Sequence, residues 1–167
     1  MRLFVAVRPT EQARTALARA LRRPADPRWH VTLAFLGEQP APEPFDLTAA
    51  TAGHQGFSLR VEGGGTFHGS VLFAGLAGDT EALQHLAEDV RAACRDAGAL
   101  IEDRPFHPHL TLARGKGLRV APALREHRGP DWPVTEVELV RSVLGRRARH
   151  EVLARFPLAA RPGEVAG

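Results

Sequence analysis

A short motif that places a histidine two residues before a threonine occurs twice in this sequence. The copies are His30-Val31-Thr32-Leu33 and His109-Leu110-Thr111-Leu112. On a β-strand, side chains two positions apart project from the same face, so each copy presents an imidazole beside a hydroxyl while the apolar residues face the other way. The imidazole group changes its protonation near neutral pH, and a hydroxyl donates hydrogen bonds. The duplication therefore predicts one site with two proton-transfer groups.

Two histidines that flank a cleft form an acid/base pair, because one accepts a proton while the other donates one. Opening a cyclic phosphodiester requires both steps. A base takes a proton from the attacking water, an acid protonates the departing sugar oxygen, and hydrogen-bond donors hold the non-bridging oxygens as charge builds up. We therefore expect His30 and His109 to transfer protons and Thr32 and Thr111 to bind the phosphate.

The sequence predicts neither a metal site nor a thiol nucleophile. His107 and His109 lie two residues apart, but no carboxylate or thiolate stands at ligand spacing from them, so a zinc site is a weak interpretation. Cys94 is the single cysteine, which excludes an internal disulfide. It falls on the apolar side of a helical pattern, which predicts buried packing.

The elements around the two motifs repeat in the same order. Residues 1–62 and 71–143 each read as a strand, a helix, the His-motif strand, a short helix and a strand. Two half-domains related by an approximate two-fold axis would bring His30 and His109 to face each other across one cleft. We expect the third strand to end before the glycine run at 63–65 and a single strand to span 134–143.

The length and composition predict one globular domain over residues 1–158, followed by a flexible Ala/Pro/Gly tail over 159–167. With 44% hydrophobic and 25% charged residues, the composition excludes a disordered or fibrous chain. No apolar run approaches the roughly 18 residues of a membrane helix, and the opening run is too short for a signal peptide. We expect a cytoplasmic monomer with no membrane partner. The net charge of +3 is compatible with a phosphate-bearing partner.

The chain resembles the 2H phosphoesterase superfamily, and within it the bacterial and archaeal RNA 2′,3′-cyclic phosphodiesterases, formerly called 2′-5′ RNA ligases. The resemblance extends to about Leu158 and rests on residues 3–7, 29–37, 105–114 and 137–142. It implies an α+β fold of two pseudo-symmetric lobes, each an antiparallel sheet with helices on the outer side, around a central active-site groove. It also implies hydrolysis of RNA or nucleotide 2′,3′-cyclic ends to 2′-phosphates, without a metal or another cofactor.

The resemblance further assigns roles by motif position. It makes His30 the proton donor to the leaving 3′ oxygen and His109 the proton acceptor from water, with Thr32 and Thr111 binding the phosphate. The two halves are nearly symmetric and the roles exchange in the reverse, ligating direction, so the opposite assignment of the histidines stays open.

Three residues outside the motifs are candidates for nucleotide binding, namely Arg114, Phe67 and His150. Arg114 follows His109 by five positions, an odd offset that directs it to the opposite strand face unless the strand twists or ends near Gly115. Phe67 offers a ring for base stacking, as do Phe106 and Trp132, although core packing explains all three rings.

His150 stands where the subgroup often has a tyrosine, which leaves open whether substrate contacts from the last hairpin are kept. Arg146, Arg147 and Arg149 precede it. They could follow an RNA backbone or simply form a solvated turn.

Two other functions fit the sequence. One is a 2H phosphodiesterase for another cyclic or 2′-5′ nucleotide, which residues outside the motifs would decide. The other is a non-catalytic module that binds RNA ends, which has little need of two proton-transfer groups. We expect RNA ends or small cyclic nucleotides as partners.

Overall fold

A computed structural model describes residues 1–161, and within that range the chain forms two four-stranded sheets and four helices. In chain order the elements are β1 (Arg2–Val7), α1 (Glu11–Leu21), β2 (Val31–Glu38), α2 (Thr48–Ala52), β3 (Phe57–Phe67), β4 (Val71–Gly78), α3 (Thr80–Asp96), β5 (His109–Arg114), α4 (Pro122–Arg125), β6 (Trp132–Val134), β7 (Glu136–Val143) and β8 (Arg149–Pro157).

The two sheets have the strand orders β2-β1-β7-β8 and β5-β4-β3-β6, and neighbouring strands in each sheet are antiparallel. The predicted α+β fold of two antiparallel lobes is confirmed. The His-motif strands β2 and β5 are edge strands of their sheets, and Cα atoms of the two strands approach within 8 Å of each other. The two motifs therefore meet where the lobes adjoin.

The two halves of the chain exchange a strand. The first half runs β1, α1, β2, α2 and β3, but β3 pairs with β4 in the second sheet. The second half runs β4, α3, β5 and α4, and its later strand β7 pairs with β1 in the first sheet. The helices also pack across the halves, because α3 contacts β2 while α1 contacts α4. Neither lobe is complete without the other half.

Strand β1 shows how the core relates to the site, because both of its faces are buried. Leu3, Val5 and Val7 join a hydrophobic cluster that extends through both lobes, whereas Phe4 and Ala6 pack with Val140 in a small separate cluster. Side chains alternate along a strand, so one face of β1 belongs to the main core and the other supports the His-motif face of β2.

The expected end of the third strand before the glycine run is wrong, because β3 continues through residues 63–65 to Phe67. A Cβ atom on Gly64 would lie 2.5 Å from the carbonyl oxygen of Phe73, and one on Gly75 would lie 2.5 Å from that of Glu62. These glycines let β3 and β4 approach closely at an irregular point of the ladder. The glycine run is therefore part of the sheet.

The single strand expected over residues 134–143 is also wrong. It is divided between β6, which pairs with β3, and β7, which pairs with β1. The chain passes from one sheet to the other at Thr135, a crossing that the sequence pattern of residues 134–143 does not reveal.

The segment after β8 has contacts with the second lobe as far as Arg161. The N–H of Ala159 donates to the carbonyl of His54 (2.8 Å), and the Arg161 guanidinium donates to the carbonyl of Gly56 (2.7 Å). The rest of the tail predicted for 159–167, residues 162–167, lies outside the described residues. Within residues 1–161, no helix has both the length and the apolarity that crossing a membrane requires.

Replacing Gly64 with alanine should destabilise the fold, because the new methyl group would clash with the backbone of Phe73 and the side chain of Leu124. We expect a loss of roughly 1–3 kcal/mol in the free energy of unfolding, measured by urea denaturation. Gly53→Ala is the matched control, since no atom of the described residues lies within 4 Å of the position of its Cβ. Equal stability of the two variants would contradict the close approach.

Candidate active site

His30 lies directly before β2 and is held by two hydrogen bonds. Its Nδ1 atom lies 2.5 Å from the carbonyl oxygen of Arg28, and its Nε2 atom lies 2.9 Å from Oγ1 of Thr32. A carbonyl oxygen only accepts hydrogen bonds, so Nδ1 carries the proton and donates it. In the neutral ring Nε2 therefore has the free lone pair and accepts from the Thr32 hydroxyl.

His109, the first residue of β5, repeats this arrangement. Its Nδ1 atom lies 2.6 Å from the carbonyl oxygen of His107 and donates to it for the same reason. The strand starts after Pro108, so His107 lies outside it. Its carbonyl orients the His109 ring. Both imidazoles are thus anchored through Nδ1 to the backbone two residues earlier, which leaves both Nε2 atoms available for chemistry.

Both rings pack against aromatic side chains. The His30 ring stacks on Phe4 with centroids 4.7 Å apart and meets the edge of His150 at 5.1 Å. The His109 ring meets Phe67 at 5.1 Å and Phe73 at 5.8 Å, both edge to face. These aromatic contacts fix the planes of both imidazole rings, which lie on the sheet faces directed away from the main hydrophobic core.

This packing favours the neutral form of each histidine. Burial lowers the pKa of His30 to about 4, with smaller contributions from positive charge on His150, Arg8 and His109. Burial is also the main cause of a lowered pKa at His109, and the positive charge of Arg114 acts in the same direction. At neutral pH both imidazoles of the unliganded protein therefore have an unprotonated Nε2.

A cleft of about 620 Å³ lies between the two lobes and contains both threonines. Its lining from the first lobe includes Phe4, His30, Thr32, Phe35 and His150, and its lining from the second lobe includes Thr111, Leu112, Ala113 and Arg114. His109 does not itself line this cleft, but it lies on the strand face of Thr111 and its charge acts on His30. The structure thus brings both motifs to one region.

Arg114 lies on the same strand face as His109 and Thr111, so the expectation from regular alternation, the opposite face, is wrong. His109, Thr111 and Arg114 pair in turn with residues 75, 73 and 71 of β4, which alternate regularly. A β-bulge between these pairs leaves Leu112 without a partner and shifts the phase of β5 by one residue. Arg114 therefore reaches the cleft.

Phe35 is a candidate that the sequence reasoning missed. A bulge in the pairing of β1 with β2 places Phe35 opposite Phe4, on the face of Thr32. Phe35 follows His30 by five residues, as Arg114 follows His109, and its side chain is 58% exposed in the cleft. The apolar run of residues 33–36 conceals it in the sequence. The equal offset in the two halves is the signal that could have revealed it.

The other proposed nucleotide-binding residues have different surroundings. His150 lines the cleft, and its Nδ1 is buried without a hydrogen-bond partner among residues 1–161. Phe67 stacks on Phe73 with centroids 4.4 Å apart, next to His109. Trp132 is fully buried and Phe106 packs against the core, so neither ring is free to stack on a base.

The described part of the chain contains no group of three His, Cys, Asp or Glu side chains that could hold a metal ion. Cys94 is buried in α3, as predicted, and burial raises the pKa of its thiol to about 11. A thiol with that pKa is not a nucleophile at neutral pH.

The sequence is similar to one known protein family and to several known proteins. The family model described as the 2'-5' RNA ligase superfamily matches residues 5–150. An RNA 2',3'-cyclic phosphodiesterase of Thermus thermophilus is 37% identical, and the match covers 98% of this chain and 93% of the relative. The Escherichia coli protein of the same name is 34% identical over 77% of this chain and 75% of its own length. The one from Geobacillus stearothermophilus is 34% identical over 80% of this chain, which spans only 46% of that relative.

Solved structures have the same fold. A crystal structure described as a phosphoesterase superposes with a TM-score of 0.80 at 30% identity, covering 95% of this chain and 98% of the other. Escherichia coli LigT in complex with 3'-AMP superposes with a TM-score of 0.74 at 29% identity, covering 94% of this chain and 97% of the other.

An NMR titration of the histidine side chains tests the site electrostatics. In the folded, unliganded protein we expect a pKa of about 4 for His30 and a pKa below 6.5 for His109, because burial disfavours the imidazolium form. In urea the same two residues should titrate near the ordinary value of about 6.5. A pKa of 6.5 or above for His30 in the folded protein would contradict the buried, neutral ring.

The lowered pKa of His30 makes the stability of the folded protein depend on pH. The unfolded chain binds a proton at His30 below about pH 6.5, whereas the folded chain does so only near pH 4. The contribution of His30 to stability is therefore present above pH 6.5 and is lost as the pH falls towards 4. His30→Asn should reduce this loss, measured as the difference in urea midpoint between pH 7 and pH 5.

Proposed function

This chain belongs to the 2′-5′ RNA ligase superfamily, and we propose that it hydrolyses the 2′,3′-cyclic phosphodiester at the end of RNA or of a nucleotide to a 2′-phosphomonoester. The observation that carries the proposal is the matched pair of His-x-Thr strands at adjoining sheet edges. In each, the imidazole is anchored through Nδ1, which leaves Nε2 for proton transfer. The names of the relatives support the same reaction.

The threonine hydroxyls bind the phosphate in this proposal. Thr32 and Thr111 both line the cleft, and each hydroxyl can donate to a non-bridging oxygen of the cyclic phosphate. In the unliganded protein the Thr32 hydroxyl is 2.9 Å from Nε2 of His30. Once His30 is protonated, Nε2 no longer accepts from Thr32, which frees the threonine proton for the phosphate and the Nε2–H for the 3′ oxygen. Protonation of His30 and phosphate binding therefore favour each other.

The two imidazoles transfer the protons. A bound phosphate anion raises the pKa of a nearby imidazole, so one ring gains the proton that it lacks in the free protein. Water gives a proton to Nε2 of His109 as its oxygen attacks phosphorus, the bond from phosphorus to the 3′ oxygen breaks, and that oxygen takes the proton from Nε2 of His30. In the free protein the low pKa of His30 keeps its ring unprotonated, so the donor form arises only when the phosphate is bound.

The remaining cleft residues orient the nucleotide. Phe35 offers an exposed ring on the face of His30 and Thr32, and an aromatic ring is a stacking platform for any base. Arg114 offers a cation on the face of His109 and Thr111, where it can attract the phosphate. His150 adds a polar edge beside His30. The proposed substrates are accordingly RNA ends or small cyclic nucleotides. The proposed enzyme is a cytoplasmic monomer, and its reaction requires no metal.

Loss of either histidine should nearly abolish turnover. We expect His30→Ala and His109→Ala each to lower kcat for a nucleoside 2′,3′-cyclic phosphate by about 10²–10⁴-fold, because each removes one proton-transfer group. Activity in a chelator should equal that without it. The melting temperature is the control for folding. Near-normal turnover by either folded variant would refute the site, and full dependence on added metal would refute the mechanism.

Phe35→Ala should weaken nucleotide binding. Stacking contributes roughly 1–3 kcal/mol per base, so we expect KM to rise about 5- to 150-fold with little change in kcat. Phe35→Tyr should keep a low KM because it retains a ring. Leu100→Ala is the matched control, since Leu100 is exposed but lies outside the cleft. If Phe35→Ala raises KM equally for methyl riboside 2′,3′-cyclic phosphate, which has no base, the ring has another role.

A further inference from the structure

A second groove opens from the cleft beside the loop that joins β7 to β8. It has a volume of about 550 Å³ and shares Asp26, Arg28 and His150 with the cleft, so the two are continuous. Five of its lining residues are arginines, and one is a carboxylate, Asp26. The arginines of this arginine groove are Arg8, Arg28, Arg146, Arg147 and Arg149.

The arginines differ in whether their charge is already neutralised. Three of them form ion pairs with nearby carboxylates, and the pairs are Arg8 with Glu138, Arg28 with Asp26 and Arg149 with Glu151. Arg146 and Arg147 are exposed, and neither has an ion pair within the described range 1–161. The unneutralised positive charge therefore lies at the loop end of the groove, on two adjacent residues.

We propose that the arginine groove binds the phosphodiester backbone of single-stranded RNA on the 5′ side of the terminal cyclic phosphate, with Arg146 and Arg147 as its principal phosphate contacts. This proposal rests on the proposed function, because it places the cyclic end in the cleft. A nucleoside cyclic phosphate has no phosphate outside the cleft, whereas an RNA end has one at every further nucleotide. The groove therefore makes an oligonucleotide the better substrate.

Three observations favour RNA as the occupant. The groove is continuous with the cleft, so a chain whose end is bound there can pass into it past His150. Its free charges are guanidinium groups, which bind phosphate with two parallel hydrogen bonds. They also stand on a loop at the rim, where a flexible polyanion can reach them without entering a closed pocket. Contacts of this kind are independent of base sequence and sensitive to salt.

The test compares two substrates in one charge-removal variant. In Arg146→Gln/Arg147→Gln, we expect kcat/KM for a pentaribonucleotide with a 2′,3′-cyclic end to fall roughly 5- to 20-fold, as for two exposed ionic contacts. The value for the corresponding nucleoside 2′,3′-cyclic phosphate should stay unchanged. The slope of log(kcat/KM) against log salt for the oligonucleotide should become shallower by about 1.4, given about 0.7 for each phosphate contact on a single strand.

Arg95→Gln/Arg125→Gln is the matched control, since it removes the same charge from exposed positions outside both grooves. If this control lowers oligonucleotide turnover as much, the net charge of the protein is responsible and the proposal is wrong. An unchanged rate with the oligonucleotide in the groove variant, or equal losses with both substrates, would also overturn it.

A direct binding measurement separates this proposal from the proposed activity. Fluorescence anisotropy with a labelled pentaribonucleotide that ends in a 2′-phosphate should show weaker binding to the groove variant than to the wild type and to the control. If the wild type hydrolyses neither substrate, the proposed function fails, yet weaker binding by the groove variant alone still supports the arginine groove. Equal binding by all three proteins overturns it.

Discussion

The structure depends on the approach of β2 and β5, the edge strands of two separate sheets, across one hydrophobic core. Val31 and Leu33 of β2 and Leu110 of β5 are buried in the same cluster, and α3 of the second half packs on β2 of the first. Each half supplies a strand to the sheet of the other, so the lobes cannot separate without exposing this core. The cleft is therefore held open by the same packing that folds the protein.

The orientation of the two imidazoles, by contrast, is local. Each ring is fixed by a carbonyl two residues before it and by aromatic neighbours from its own sheet, and among residues 1–161 neither ring has a hydrogen-bond or ring partner from the opposite lobe. Long-range packing sets the separation of the motifs, and short-range geometry sets the direction of each ring. This division explains why a sequence as short as His-x-Thr carries so much of the site.

Much of the fold and of the candidate site could be predicted from the sequence. Hydrophobic periodicity predicted the helices, and the duplicated motif predicted the two histidines and two threonines. The failures have physical causes. A glycine run such as residues 63–65 is typical of a strand end, yet the missing side chain of Gly64 is what permits the close strand pairing. Thr135 separates strands of two sheets within a stretch of sequence that is typical of one strand. The faces of Phe35 and Arg114 depend on β-bulges, which are tertiary features that no alternation rule contains.

Phe35 and Arg114 occupy equivalent positions of the two halves and have opposite chemistry. A cleft with perfect two-fold symmetry would accept a ligand in two orientations that differ by half a turn, and only one of them would present the correct bond to the correct acid. An apolar ring on one side and a cation on the other remove this degeneracy, since they favour a base at one end and a charge at the other. Divergence at a single pair of positions thus gives a duplicated, symmetric scaffold a direction.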